Sequence, residues 1–299
     1  MHLKRFGKIS ISVGNKKHLK KACKGSIFMV FVSYISLATS GNRICNPMKQ
    51  FPLALQMWSV RTQAAQNLDS VLASLASYGY TGVELTAHHY QLSPTELRDR
   101  LDAHGLKAAG THGPCVDKTH LQQSVETAQA LGYNRIGFNF REPDLETADK
   151  IKASMDRFAE AAELLKPYGI KVMFHNHWWE YDRLVNGLLP AEMLLCASSQ
   201  VYAQVDTYWV AVAGQAPSDI LKRFGNRVLS VHLKDGPMEK GKQQTALGDG
   251  KMDMPHVLSS LPDSVEWVVV ELDGCNTDMM EAVRKSAEFL ISKNIIRKG

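Results

Sequence analysis

The five cysteines of this 299-residue chain (Cys23, Cys45, Cys115, Cys196 and Cys275) contain no Cys-x-x-Cys pair. A zinc ribbon and a thiol–disulfide redox motif are thereby excluded, and an odd count in a long chain requires no disulfide framework. Buried free thiols are expected. No Gly-x-Gly-x-x-Gly follows the first predicted strand, whose turn reads Gln56-Met-Trp-Ser-Val-Arg61. That disfavours an open, doubly wound nucleotide-binding sheet. Beyond residue 50 no apolar run approaches the ~20 residues that a membrane span needs. Acidic residues are missing altogether from residues 1–50, which carry ten of the 35 Lys and Arg. The rest of the chain therefore has 25 basic against 30 acidic side chains, although the whole chain is formally +5. A mildly acidic body lacks the basic face that nucleic acid requires.

The acid-free segment has its own plan. A basic stretch is followed by the apolar residues 26–38, ending in Ser36-Leu-Ala38, with small residues where a signal peptidase needs them. This is the layout of a secretory signal with a long basic part, which would place the protein in the periplasm or outside the cell. Alternatively, translation starts at Met48, and Met48-Lys-Gln-Phe-Pro52 leads straight into the first strand of a cytoplasmic protein. On either reading, residues 1–47 are a leader outside the fold and residues 48–299 form one domain.

Within that domain apolar runs alternate with helix-spaced segments. Strands are expected over residues 53–58, 79–85, 106–111, 135–140, from 170 to the His175 cluster, 202–206, 228–233 and 266–272. Helices are expected over 68–78, 93–104, 119–131, 145–168, 188–197, 217–224, 254–261 and 277–293. Ser93 with Glu96 three residues on reads as a capping box. Eight strand–helix repeats in about 250 residues match the count and size of a closed (β/α)8 TIM barrel.

The strand ends carry chemistry. The fifth strand runs from Gly169 through Ile170, Val172 and Phe174 into His175-Asn-His177-Trp178-Trp179-Glu180. The sixth ends in Gln204-Val-Asp206, followed by Trp209. The seventh alternates Ser230, His232 and Lys234 against Leu229, Val231 and Leu233, so its polar face should look into the barrel mouth. The eighth ends in Glu271, the second in Glu84, and the third in Thr111-His112. Carboxylates in such positions are seldom buried unless paired or metal-bound. Singly, each has a plain alternative, such as a core histidine or, for Asp206, a cap on the next element. Together, strands five to eight bring His, Asp, His and Glu to one end. This oxygen and nitrogen set suits one divalent ion, Mn²⁺, Co²⁺, Zn²⁺ or Mg²⁺. Trp58, Trp178, Trp179 and Trp209 could wall a pocket there, although an aromatic at a strand end is as often packing. Gly248-Asp-Gly250 reads either as a mobile loop over the site or as a surface turn.

At these residues the chain resembles the xylose-isomerase-like barrel superfamily, sugar phosphate isomerases and epimerases. The likeness runs over residues 51–295 and rests on Leu55-Gln-Met-Trp-Ser-Val-Arg61, Gly82-Val-Glu-Leu85, the His175 segment, Val205-Asp-Thr207, His232-Leu-Lys-Asp235, Gly248-Asp-Gly-Lys-Met-Asp253 and Val270-Glu271. The resemblance implies a metal held by Asp206, His232 and Glu271 with a fourth ligand from strand five. Relatives have Glu-Asn-His where this chain has His175-Asn-His. The fourth ligand is therefore Glu180 reaching back, the favoured reading, or His175 itself. Trp209 stands where the epimerases carry a histidine, which puts their two-carboxylate mechanism in question. The implied activity is isomerisation or epimerisation of a ketose or keto-sugar through an enediolate. Glu180 and Glu271 are candidate acid–base groups, with His175, His177 or His112 able to replace one, and Lys234 would stabilise the enediolate oxygen. Trp58, Glu84, His112, His177 and Trp209 would contact substrate. A 3-keto-glycoside lyase or inosose-type dehydratase could use the same site, and export would favour unphosphorylated substrates. An endonuclease is disfavoured by the acidic body. A non-catalytic sugar-binding barrel predicts ligand affinity indifferent to metal. A homodimer is one assembly the sequence leaves open.

Overall fold

The structure, a computed structural model, describes residues 49–86 and 91–297. The expected leader lies outside the described residues. Eight parallel strands close into a barrel in sequence order: β1 Leu53–Gln56, β2 Gly82–Thr86, β3 Lys107–His112, β4 Arg135–Phe138, β5 Lys171–His175, β6 Val201–Asp206, β7 Val228–Leu233 and β8 Trp267–Val270. Closure is made by β1 against β8, with Leu53 beside Val268 and Leu55 beside Val270. Among the described residues the α-helices are α1 Arg61–Gln66, α2 Leu68–Ser77, α3 Pro94–Ala103, α4 Leu121–Leu131, α5 Ala148–Leu165, α6 Pro190–Leu195, α7 Thr207–Val212, α8 Pro217–Phe224, α9 Met254–Ser259 and α10 Met279–Ser292. Among the described residues no helix is long and apolar enough to cross a membrane.

Period-two alternation sorts every strand into two faces. Val83, Leu85, Phe138, Val172, Phe174, Val205, Val231, Leu233 and Val270 join the apolar layer shared with the helices. The inward faces hold different chemistry. At the amino-terminal end, Trp267 packs on Ala54, Ala109 and Val269. There Arg135 pairs with Glu266, and Lys171 Nζ lies 2.6 Å from the same carboxylate. Gly82 is required at this level, because a Cβ there would lie 2.6 Å from the Trp267 ring. This plug stabilises the barrel floor, leaving the carboxyl ends of the strands for function.

The Ser93–Glu96 capping box is present, with Glu96 N donating to Ser93 Oγ (3.2 Å) and Ser93 N to Glu96 Oε2 (2.9 Å). The helix expected over 145–168 is divided. Thr147 caps its start at Ala148, and its last turn tightens into a 3₁₀ segment, Lys166–Tyr168. Two helices were not expected. α1 buries only Ala64, so it carries no apolar stripe. α7 follows β6 without a loop because Asp206 caps it directly.

Candidate functional site

Consecutive strand ends place the polar cluster. Asp206 on β6 is in register with His232 on β7, and His175 on β5 with Gln204 on β6. Between the histidines of β5, Asn176 is fully buried. Its Oδ1 accepts from Asp206 N (2.9 Å), and its Nδ2 donates to Asp206 O (3.2 Å). That amide ties the tips of β5 and β6 together. As a result His175, Asp206, His232 and Glu271 each present one donor atom, all within 4.8 Å of one another.

Glu84 stands beneath them with both oxygens engaged. Oε1 accepts from Gln204 Nε2 (2.5 Å), and Oε2 accepts from Gln56 Nε2 (2.7 Å) and His232 Nε2 (2.6 Å). His112 Nε2 lies 3.2 Å from Oε2 as well. Both oxygens of Glu84 are thereby held by the protein's own donors. Expected to contact substrate, Glu84 in this structure supports His232, whose Nδ1 meets Glu271 Oε2 at 2.6 Å. Burial pushes Glu84 upward, but His112 and His232 outweigh it and hold the carboxyl at about 2. Burial likewise pushes His232 down, and its two carboxylates overcome that and raise it to about 10. His112 stacks on His232 at 5.3 Å, with room because its neighbour on β4 is Gly137; a Cβ there would lie 2.7 Å from the His112 ring.

Lys234 is 1% exposed and surrounded by carboxylates, with Nζ 3.0 Å from Asp206 Oδ2, 2.9 Å from Glu271 Oε2 and 2.8 Å from Asp273 Oδ2. Burial acts to discharge it, but the three carboxylates hold it well above the usual lysine range. Glu271 is pushed up by burial and held well below the carboxylate range by Lys234 and His232. Asp206 divides its oxygens. Oδ1 accepts from Trp209 N (3.0 Å), and Oδ2 faces Lys234 without accepting a hydrogen bond of good geometry. Both readings of Asp206, cap and site residue, are thus present in one side chain. Burial raises it to about 6 against the pull of Lys234 and His232.

His175 Nδ1 is buried with no hydrogen-bond partner, as is Nδ1 of His177. Buried polar atoms are rarely left so unless an ion, water or ligand completes them. Burial, then the positive neighbours His232, His112 and His177, drives His175 well below its ordinary value. Burial and then Lys234 take His177 to about 4. Both imidazoles are therefore neutral near pH 7. His177 stacks on Trp179 at 4.1 Å, and Trp178 lies 5.0 Å from Trp209, so three of the expected tryptophans line one rim. Trp58 stands apart from them, 43% exposed and covered by the Arg61 guanidinium at 4.2 Å.

Glu180, the favoured strand-five ligand, is not in the four-residue set, nor in the other group of converging donors among the described residues, His112, His175 and His232. Past His175 the chain turns sharply, with Tyr181 N bonded to Trp178 O (3.0 Å), and Glu180 Oε2 accepts from its own loop at His177 N (2.8 Å). His175 takes the place expected of it. Burial, only partly opposed by that backbone bond, raises Glu180 to about 8. A carboxyl that ionises near 4.5 unfolded but near 8 folded makes no difference below the first value. It then costs stability as pH rises between the two, because only the unfolded chain releases its proton. Glu180→Gln is therefore expected to flatten this slope. It should be equal to wild type at pH 4.5 and more stable by roughly 3–5 kcal/mol at pH 8. Urea melts at the two pH values check this, and an unchanged slope would refute it.

The Gly248–Gly250 segment wraps the buried Asp235 carboxylate, which accepts from Gly236 N (2.8 Å), Gly248 N (2.9 Å) and Met252 N (3.0 Å). Gly250 is required here, since a Cβ would sit 2.1 Å from Asp235 Oδ1. The segment is thus the surface turn of the two expected readings, exposed at Gly248–Gly250 and tied down by Asp235, the residue after Lys234. Asp235, Gln56 and Gln244 had no distinct signal in the sequence; each acts by holding another side chain or the backbone.

A barrel of this topology has known counterparts. Residues 72–293 match the xylose isomerase-like TIM barrel. The chain belongs to that family. An inosose dehydratase from Geobacillus kaustophilus (strain HTA426) is 23% identical over 254 residues, 69% of this chain and 80% of that protein. A sugar phosphate isomerase/epimerase from Parabacteroides distasonis ATCC 8503 superposes with a TM-score of 0.69 at 23% identity, over 86% of this chain and 98% of that one. The IolI protein, solved with a bound zinc atom, superposes with a TM-score of 0.64 at 16% identity, over 81% of this chain and 97% of that one. At these identities the superpositions establish the barrel, and the chemistry is argued from the site.

Proposed function

We propose that this family member is a divalent-metal-dependent isomerase or epimerase of a ketose or keto-sugar, working through an enediolate. The observation that carries the reading is the convergence of His175, Asp206, His232 and Glu271 at the carboxyl ends of β5 to β8. The donor set fits a divalent ion. His175 offers a buried nitrogen and Asp206 a buried oxygen that no hydrogen bond satisfies. An ion bound there supplies Lewis-acid polarisation of a carbonyl and the hydroxyl beside it.

The chain's own residues divide the remaining work. Glu271 is committed to His232 and Lys234, and Glu180 holds its Oε2 on its own loop while Oε1 has no hydrogen-bond partner. His177 is neutral, its Nδ1 is unpartnered, and its ring lies 5.2 Å from His175. We assign to it the removal of the proton from the carbon next to the carbonyl. Returning that proton to the other carbon, as the hydroxyl proton passes from one oxygen to the other, completes isomerisation, and returning a proton to the opposite face of the same carbon gives epimerisation. Trp178, Trp179 and Trp209 exclude water and offer ring faces to sugar C–H groups.

Dehydration is the second reading, favoured by the name of the Geobacillus relative. It begins with the same proton removal and ends with loss of a β-hydroxyl as water. A site with one free base serves it well. Incubation of the metal-loaded protein in D₂O with ketoses, inososes and 3-keto-glycosides tests both. Exchange of the α-proton, seen by NMR and stopped by a chelator, is expected. Isomerisation leaves deuterium in the sugar pool, whereas elimination produces a new near-ultraviolet chromophore. No exchange across the panel, with sugar binding indifferent to chelator, would identify a non-catalytic binding barrel instead.

A further inference from the structure

The ammonium of Lys234 and a divalent ion would draw on the same two carboxylates. Nζ lies 3.0 Å from Asp206 Oδ2 and 2.9 Å from Glu271 Oε2, and these two carboxylates belong to the converging donor set. Asp206 has no second oxygen to offer, because Oδ1 is held by Trp209 N as the cap of α7. Moving Oδ1 would undo the start of that helix. Lys234 has another anchor. It donates to Asp273 Oδ2 at 2.8 Å, and Asp273 is held in turn by Gln244, whose Nε2 donates to Oδ2 (2.9 Å) and whose Oε1 accepts from Asp273 N (2.7 Å). Asp273 is 41% exposed, so this anchor lies at the wet edge of the cluster, away from the buried Asp206.

We propose that Lys234 is a built-in competitor for the metal seat. Its ammonium neutralises Asp206 and Glu271 when no ion is bound, and it pivots onto the Gln244-braced Asp273 when one binds. This rests on the reading that the four-residue cluster takes a divalent ion. The exchange has two consequences. The barrel mouth keeps its carboxylates paired with or without metal, so it is not forced apart by like charge. Affinity for the ion is also set lower than the donor atoms alone would give, because Lys234 must first be withdrawn. The pinned Asp235 loop, next in sequence, fixes the backbone about which the lysine side chain swings.

Titration calorimetry of Co²⁺ and Mn²⁺ into chelator-stripped protein, wild type against Lys234→Met, tests the competition. Lys234→Met is expected to bind at least tenfold more tightly. In chelator it should melt below wild type, and the ion should raise its melting temperature by more. Equal or weaker binding by folded Lys234→Met overturns the proposal and leaves the metal-site reading standing. Failure of the wild type to bind any ion overturns both. A crystal structure of the wild type with Co²⁺ supplies the test that needs no variant. Lys234 Nζ should have left Asp206 Oδ2 and remained on Asp273, whereas an ammonium still within hydrogen-bond reach of Asp206 Oδ2 beside the bound ion would refute the exchange.

Discussion

The His232→Ala protein is expected to lose all measurable turnover and on the order of 3 kcal/mol of stability. His232 is wholly buried, with Glu84 on one ring nitrogen and Glu271 on the other, both at 2.6 Å. Removing one partner of a buried charged pair costs about 3–5 kcal/mol, because the other charge is left without compensation. The lower end applies here. Glu84 keeps Gln56, Gln204 and His112, and Glu271 keeps Lys234. Turnover has no such reserve, since His232 is one of only two nitrogen donors in the four-residue set. His232→Gln separates the two effects. An amide that donates to one carboxylate should restore part of the stability and none of the activity. Urea denaturation gives the first quantity, and α-proton exchange gives the second. A stable His232→Ala protein with full exchange would remove the cluster from the chemistry.

The barrel was legible because its strands are half apolar by strict alternation. In β7 the order Val228-Leu-Ser-Val-His-Leu predicts which side chains look inward, and Val231, Leu233 and His232 lie where it puts them. What the alternation cannot carry is a helix without a stripe, as α1 shows, or a strand that becomes a helix with no loop, as at Asp206. The site was legible as a set of strand ends and less so as a set of roles. Glu84 reads as a pocket carboxylate until the neighbours that saturate it are known, and three of those come from β1, β6 and β7. Glu180 was misplaced for a local reason. Five residues past a strand end can reach back or turn away, and the Trp178–Tyr181 turn sends this carboxylate to His177 N. The charge exchange inferred for Lys234 has no counterpart in sequence spacing at all, since Asp206, Glu271 and Asp273 come from two different strand ends.

Chelation is expected to stop turnover, and restoration should follow the order set by two imidazoles in the donor set. Two nitrogens with two carboxylates favour Co²⁺ and Zn²⁺ over Mn²⁺, and leave Mg²⁺ the poorest, because imidazole suits the later transition metals and oxygen the harder ions. The decisive residue is His175. It gives the cluster its second nitrogen, and its Nδ1 is one of the buried atoms left without a hydrogen bond. His175→Ala should weaken binding of Co²⁺ by at least the roughly 10–100-fold that changes outside the ligand shell already cost. Glu180→Gln should leave it unchanged. His175→Glu should move preference toward Mn²⁺ and Mg²⁺ by replacing nitrogen with oxygen. Calorimetric titration of each variant with each ion measures all three. The reverse pattern, with Glu180→Gln losing the ion and His175→Ala keeping it, would mean that the loop after β5 refolds on binding. The ligand would then be the carboxylate, and the metal preference argued from imidazole would fall with it.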